Sequence, residues 1–357
     1  MNPLRRQLLF LPLTLTNDIV QAEVAYPDVQ AAVPLAFPRD EGSHPAFRNE
    51  WWYITGWMRD DRGREMGVQI TFFRNRPGVA EASASRFAPR QLLFAHAAIA
   101  NPQLQRLLVD ERAAREGLGL AAALEGDTDV HIGDWSLRRD GDAYHARIRA
   151  SRFLLDVAFA AHEPPLLQGD DGVSRKGPDP QDASCYYSRP QLQVSGSITL
   201  ADRSSAVTGV AWLDHEWSSR YLMPNAAGWD WTGINLDDGA SLMAFRIRDA
   251  RGATLWAGGA YRDAARVRRV LAPGDVEFIA QRQWRSPRTG IDYPVSFRVR
   301  AGDFEATLNP LFPDQELDAR GGVGVVYWEG AVRALVGDRI IGRGYLELTG
   351  YGEALRI

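Results

Sequence analysis

Trp51-Trp52-Tyr53-Ile54-Thr55-Gly56-Trp57 is a run of aromatic and β-branched residues broken by one glycine. That is the composition of a strand on a pleated, half-buried surface. Shortly downstream, Gly67-Val68-Gln69-Ile70-Thr71-Phe72-Phe73 alternates apolar and polar positions. A period of two marks a strand with one buried face. Asp60-Asp61-Arg62-Gly63 lies between the two and reads as a turn. Ser195-Gly196-Ser197-Ile198-Thr199-Leu200 repeats the alternation, and residues 242–247, 295–300 and 345–351 read as further strands. Turn signals recur at Arg139-Asp140-Gly141-Asp142, Asp237-Asp238-Gly239 and Asp249-Ala250-Arg251-Gly252. This spacing predicts an all-β chain built as sandwiches or up-and-down barrels. Helix is scarce. Residues 110–123 have helix-forming composition weakened by Gly117 and Gly119, and are predicted as a short helix or loop. No βαβ pattern supports a dinucleotide fold.

The 357 residues, 45% of them hydrophobic, are enough for two packed cores. The net charge of −4, with both signs interspersed, leaves no footprint for nucleic acid and no polybasic membrane signal. The single Cys185 excludes an internal disulfide and reads as a small buried filler. Arg5-Arg6, the apolar run at 8–15 and Val20-Gln21-Ala22 follow the order of a secretory signal. The run is short and Pro12 interrupts it, so periplasmic, secreted and cytoplasmic locations stay open. No later stretch is apolar for the roughly 18 residues of a membrane-spanning helix. Residues 163–182 are rich in Pro and Gly and read as a long loop, functional or flexible. Residues 218–228 read as a connection between domains. The expected organisation is an extension over 1–34, then domains at 35–218 and 219–357.

The chemistry centres on Trp212-Leu213-Asp214-His215-Glu216-Trp217. As a strand it sends Trp212, Asp214 and Glu216 to one face, and Leu213, His215 and Trp217 to the other. A carboxyl walled by indoles is desolvated, which raises its pKa and suits it to donate a proton near neutrality. The plainer alternative is that Asp214 caps a turn and Glu216 sits in a buried ion pair. Three similar clusters are Trp229-Asp230-Trp231, Glu50-Trp51-Trp52-Tyr53 and Tyr327-Trp328-Glu329. Eleven tryptophans, many beside a carboxylate, suit a large apolar cavity with few polar groups. Core packing at sheet contacts would explain each one singly. The histidines show no paired metal-ligand spacing, and no metal is expected. No Gly-x-Ser-x-Gly elbow or glycine-rich phosphate loop is present.

Longer motifs then align with a known family. They are His44-Pro45-x-Phe47-Arg48-x-Glu50-Trp51-Trp52-Tyr53-x-Thr55-Gly56, Gln69-x-Thr71-Phe72-Phe73-Arg74 and Ala95-His96-Ala97-Ala98. Leu167-Gln168-Gly169-Asp170-x-Gly172-x-Ser174-Arg175-Lys176-Gly177, Tyr186-Tyr187-Ser188 and the Asp214 segment follow, then Gly228-Trp229-Asp230-Trp231. Tyr327-Trp328-Glu329-Gly330-Ala331-Val332 and Gly344-Tyr345-Leu346-Glu347-Leu348-Thr349-Gly350-Tyr351 close the series. Together they resemble the AttH and carotenoid 1,2-hydratase-like family over roughly residues 35–352.

The resemblance implies two lipocalin-like (calycin-like) β-barrel or sandwich domains packed around a hydrophobic cavity. It implies acid-catalysed addition of water to an isoprenoid alkene, without a cofactor. Asp214 matches the candidate acid of the hydratases, with Glu216 or His215 tuning it or guiding water. Trp51, Tyr53, Trp212, Trp229, Asp230, Trp231, Tyr187 and Trp328 are expected to contact the substrate. The expected partner is a hydrophobic small molecule, with peripheral membrane contact as a further expectation. His215-Glu216-Trp217 departs from the hydratases, which carry a small polar turn there. Proton-initiated cyclisation, non-catalytic lipid carriage and hydrolysis of a hydrophobic ester therefore stand as alternatives.

Overall fold

A computed structural model describes residues 24–30, 33–320 and 324–355. The proposed signal segment lies outside these residues. The described chain is all-β, apart from two single-turn 3-10 helices at Arg39–Glu41 and Pro273–Asp275. It forms two antiparallel sheets, of thirteen and ten strands.

The first sheet is organised around Arg203–Arg220, which pairs with Asn49–Asp60 on one side and Ala183–Leu200 on the other. Asn49–Asp60 continues to Glu65–Asn75, Leu92–Asn101 and Arg106–Arg115. Ala183–Leu200 continues through four strands to Ala121–Ala123 at the far end. The sheet curls until its ends approach. Asp110 Oδ2 accepts a bond from the Ser151 amide at 2.6 Å, and the Arg112 guanidinium lies over the Trp135 ring. The curl encloses a core of Trp52, Ile54, Ile70, Phe72, Trp135, Leu137 and Phe159, all buried. Each such side chain contributes about 1.5–3 kcal/mol of hydrophobic stabilisation.

The second sheet is organised around Gly228–Leu236, flanked by Ser241–Arg248 and Arg339–Leu348. Arg339–Leu348 pairs in turn with Val325–Val336. This sheet also curls, and Arg246 Nη1 donates across it to the Phe278 carbonyl at 3.2 Å. Its core includes Ile234, Leu242, Val295, Phe297, Trp328 and Leu346.

The two sheets press together along one seam. Trp57 Nε1 donates to the Gly344 carbonyl at 3.0 Å, and Asn235 Nδ2 to the Ala211 carbonyl at 3.0 Å. Gly67 permits this approach. A Cβ there would stand 2.4 Å from Tyr345 Oη and 2.8 Å from Ala331 Cβ.

Two sequence expectations change. Residues 110–123 are not helical: Arg106–Arg115 is a strand paired along its length with Leu92–Asn101, and Ala121–Ala123 is a second short strand. The alanines and charges there favour helix locally, but an open sheet edge beside them supplies backbone partners, and tertiary pairing overrides propensity. Residues 163–182 are not loop throughout. Leu166–Leu167 and Val173–Arg175 both pair with Ala183–Leu200, and Arg262, Arg268 and Trp256 of the second sheet donate to the Pro164, Leu167 and Arg175 carbonyls.

Candidate active site

A cavity of about 640 Å³ opens between the two sheets. Strand register decides what lines it. Tyr53, Asp214 and Ser188 are cross-strand neighbours in the first sheet, and so are Trp51, Glu216 and Tyr186. In the second sheet Glu329, Glu347, Trp231 and Phe245 form one continuous row. All but Ser188 line the cavity.

Asp214 is the hub of the first wall. It is 2% exposed. Its Oδ1 accepts bonds from Trp212 Nε1 at 2.6 Å and Ser188 Oγ at 2.5 Å. Its Oδ2 accepts from Tyr186 Oη at 2.6 Å. Tyr186 Oη accepts in turn from Trp231 Nε1 at 3.0 Å, which ties the carboxyl to the opposite sheet. Gln168 Nε2 donates to Ser188 Oγ at 2.8 Å. Burial pushes the Asp214 carboxyl up to about 7, against the opposing effect of these three donors. Near neutrality the group therefore keeps a protonated fraction that an ordinary carboxyl lacks, and its conjugate base already has donors in place.

Glu216 has different company. Lys176 Nζ lies 2.8 Å from its Oε1, and Ser184 Oγ donates to the same oxygen at 2.5 Å. The Lys176 ammonium also lies over the rings of Phe245 at 4.3 Å and Tyr186 at 4.9 Å. Glu216 is thus a paired buried carboxylate. Trp51 stacks on Tyr221 at 4.4 Å and on Trp229 at 6.4 Å, and Tyr53 meets Trp231 edge-on at 5.2 Å.

The opposite wall carries two further carboxyls, Glu329 of the Tyr327-Trp328-Glu329 cluster and Glu347, which the sequence did not set apart. Burial, followed by the Glu347 charge, pushes Glu329 well above the usual carboxyl range, and the nearby Tyr53 and Tyr327 hydroxyls only partly oppose this. Burial pushes Glu347 up to about 7, opposed by Trp229 and reinforced by Asp214 and Glu216. His96 Nδ1 meets Tyr327 Oη at 2.9 Å, and burial holds this imidazole neutral, down at about 4.

The structure brings together Asp214, Glu216, Trp51, Tyr53, Trp229 and Trp231 on the cavity. Trp212 stands behind Asp214 as its hydrogen-bond donor. The other expected site residues point elsewhere. His215 projects to the opposite face of its strand, where Nε2 meets Glu50 Oε1 at 2.9 Å, Nδ1 meets Tyr187 Oη at 3.1 Å, and the ring stacks on Trp52. Tyr187 donates to buried Glu41 at 2.7 Å. Asp230 is locked between Arg246 and Arg248, at 2.6 and 3.1 Å. Trp328 lies in the second core and donates to the Pro313 carbonyl at 2.8 Å. Their sequence neighbours Tyr186, Tyr327 and Glu329 hold the cavity positions. Cys185 is half-buried, and burial pushes its thiol up to about 12, which leaves it inert.

Behind the first wall, His44, Glu50 and His215 form the one group of potential metal ligands among the described residues. Hydrogen bonds account for every ring nitrogen: His44 reaches Glu50 and Asp40, while His215 reaches Glu50 and Tyr187. Arg74 Nε lies 2.7 Å from the second Glu50 oxygen. Burial opposes charge on Glu50, but Arg74 and His44 outweigh it and hold the carboxyl well below its usual range. The cluster is a charge-compensated strut joining residues 39–44 to the first sheet.

The sequence matches the AttH-like family model over residues 28–351. The chain belongs to the AttH-like family. An AttH-type protein from Nitrosomonas europaea shares 49% identity with it, covering 91% of this chain and 99% of that one, with a TM-score of 0.85. Kievitone hydratase from Nectria haematococca has the same fold at 15% identity, with a TM-score of 0.68 over 93% of this chain and 97% of that one. No curated protein sequence matches this AttH-like chain. No helix among its described residues is long and apolar enough to cross a membrane.

Proposed function

We propose that this AttH-like protein is an acid-catalysed hydratase of a hydrophobic alkene, with Asp214 as proton donor. One observation carries the reading: a buried carboxyl, pushed up to about 7, sits on the wall of an aromatic-lined cavity with three donors on its conjugate base. Preorganised donors of this kind favour loss of the proton to a bound substrate.

In the reaction the Asp214 O–H bond breaks and a C–H bond forms at the less substituted alkene carbon. The π bond is lost and the tertiary carbon becomes cationic. Indole and phenol faces of Trp51, Tyr53, Trp229 and Trp231 stabilise that charge through their ring quadrupoles. Water forms the C–O bond and releases a proton, which restores the Asp214 carboxyl. The sum is alkene plus water to tertiary alcohol. Capture of the cation by a second alkene of the same substrate would instead close a ring and leave a new cation, which returns a proton to the Asp214 carboxylate as a new alkene forms.

The fold shared with a protein named as a hydratase agrees with this chemistry. An isoprenoid is the proposed substrate, because its trisubstituted alkenes give tertiary cations. The proposal also takes 35–218 and 219–357 as two lipocalin-like units that meet at the cavity. Ester hydrolysis finds less support. His215 lies on the face away from Asp214, and the hydroxyls of Ser184 and Ser188 are committed to carboxylates. In the test, Asp214→Asn abolishes turnover of acyclic isoprenoid alkenes and leaves their binding intact. Full activity in that variant overturns the acid assignment.

A further inference from the structure

Charge does not balance within the cavity. Of the basic groups lining it, Lys176 is paired with Glu216 and Arg74 with Glu50. Arg115 has no ion-pair partner among the described residues, and its guanidinium lies over the Phe87 ring with a buried, unbonded Nε. Glu329 and Glu347 are directly opposed on adjacent strands, and neither has an ion-pair partner among the described residues. Burying two carboxyls side by side without a counter-charge is costly unless a proton or a cation joins them.

Three polar atoms around this pair, Glu329 Oε1 on the second sheet and Tyr53 Oη and His96 Nε2 on the first, are buried without a well-formed hydrogen bond, although the Tyr53 hydroxyl is turned to Glu329. Buried polar atoms are normally satisfied, so exceptions facing a cavity mark places where a ligand completes the set. No third His, Cys, Asp or Glu among the described residues places a ligand atom within 4.8 Å of both carboxyls, so a metal ion is poorly served. The Trp229 indole N–H is turned to Glu347 and the Tyr53 and Tyr327 hydroxyls to Glu329, and their rings line the cavity beside the pair. Carboxyls together with aromatic faces are the environment that an organic ammonium group selects.

We propose that Glu329 and Glu347, with Tyr53, form a subsite that binds the positively charged end of an amphiphilic organic cation whose chain fills the apolar cavity. The inference rests on the hydrophobic-cavity reading and deepens it. The same wall that favours a carbocation during reaction favours a stable ammonium in its place. Groups facing the pair are Tyr327 and Tyr345 on its own sheet and Tyr53, His96, Asp214 and Glu216 on the other, with Glu111 beyond Tyr327. His96 is held neutral and Glu216 is paired with Lys176, so the pair and Asp214 dominate the response to pH. Burial pushes Glu347 up to about 7, so below that pH an incoming cation must displace a proton. Affinity for the cation then falls by up to about tenfold per pH unit below 7.

Tryptophans in the wall give the readout. Intrinsic fluorescence is titrated with decylammonium, 1-decanol and decanoate on the intact protein at pH 8. Decylammonium is expected to bind at least tenfold more tightly than decanol, with decanoate weakest. Glu329→Gln/Glu347→Gln should bring decylammonium and decanol to within about threefold of each other. In the wild type, lowering the pH to 5.5 should weaken decylammonium and leave decanol unchanged, and this arm stands even if the double variant does not fold. Equal binding of decanol and decylammonium at pH 8 overturns the cation subsite and leaves the apolar cavity standing. Survival of the preference in the double variant, or at pH 5.5, overturns it as well. Failure of all three probes to bind removes the cavity reading and this inference with it.

Discussion

Asp214 and Glu347 stand on different sheets and line the same cavity, and burial pushes each carboxyl up to about 7. The two charges act on each other across the seam. A cavity with acids on both walls is built to meet positive charge, which is the common element of the proposed reaction and the proposed ligand.

A pH effect on stability follows. A carboxyl whose folded pKa is raised stabilises the fold fully below its unfolded value, and that contribution is lost as pH rises toward the folded value. For Asp214 and Glu347 the window runs from about 4 to about 7. Asp214→Asn removes one such group. Its Tm relative to wild type should therefore climb from pH 4 to pH 7, by an amount equivalent to roughly 2–4 kcal/mol. A flat difference across that range, measured by thermal denaturation, contradicts the raised carboxyl.

Tyr186→Phe removes one donor from Asp214 and the acceptor for Trp231 Nε1. Loss of the donor raises the Asp214 pKa further. The limb of the pH–rate profile on which activity falls with rising pH should move to higher pH, with little change in KM. The orphaned indole N–H should cost about 1–3 kcal/mol in urea denaturation.

The strut on the far face should behave in the opposite way. Arg74 and His44 hold Glu50 well below the usual carboxyl range against its burial. Its stabilising contribution is present above the ordinary carboxyl pKa and lost as pH falls through the folded value. Glu50→Ala leaves Arg74 buried without its counter-charge and should cost about 3–5 kcal/mol. Urea midpoints at pH 7 read this loss, which should shrink in acid.

Gly67→Val tests the seam. Its Cβ alone would meet Tyr345 Oη and Ala331 Cβ well inside contact distance. The sheets must part, with a stability loss of about 1–3 kcal/mol or more. Ligand quenching of the cavity tryptophans should fall in this variant, although no residue of the proposed site has changed.

Much of this architecture is legible in the sequence. The aromatic, β-branched composition of 51–57 and the alternation in 67–73 predict strands, and both lie in the first sheet. Parity within a strand is equally legible, since Asp214 and Glu216 do share a face away from His215. What one strand cannot reveal is which parity faces the cavity. Tyr186 and Tyr187 are equivalent as text. Their faces are set by pairing, because Tyr186 lies opposite Glu216 and Tyr187 opposite His215. Trp328 attracts notice by its size, yet its neighbours Tyr327 and Glu329 point into the cavity. Glu347 had a usable signal, a lone carboxyl in the apolar strand Tyr345-Leu346-Glu347-Leu348. The helical reading of 110–123 fails for another reason: strand pairing is non-local, and local composition does not record the edge at Leu92–Asn101.

The most direct measurement is single-turnover reaction of acyclic isoprenoid alkenes with the wild-type protein and Asp214→Asn in deuterated, oxygen-18-labelled water. Mass spectrometry of the product locates both labels. Wild type should give a tertiary alcohol carrying one heavy oxygen and one deuterium on the adjacent carbon, while Asp214→Asn gives neither label but still binds the alkene. Alcohol without carbon-bound deuterium, or equal labelling by the variant, would contradict proton donation from Asp214.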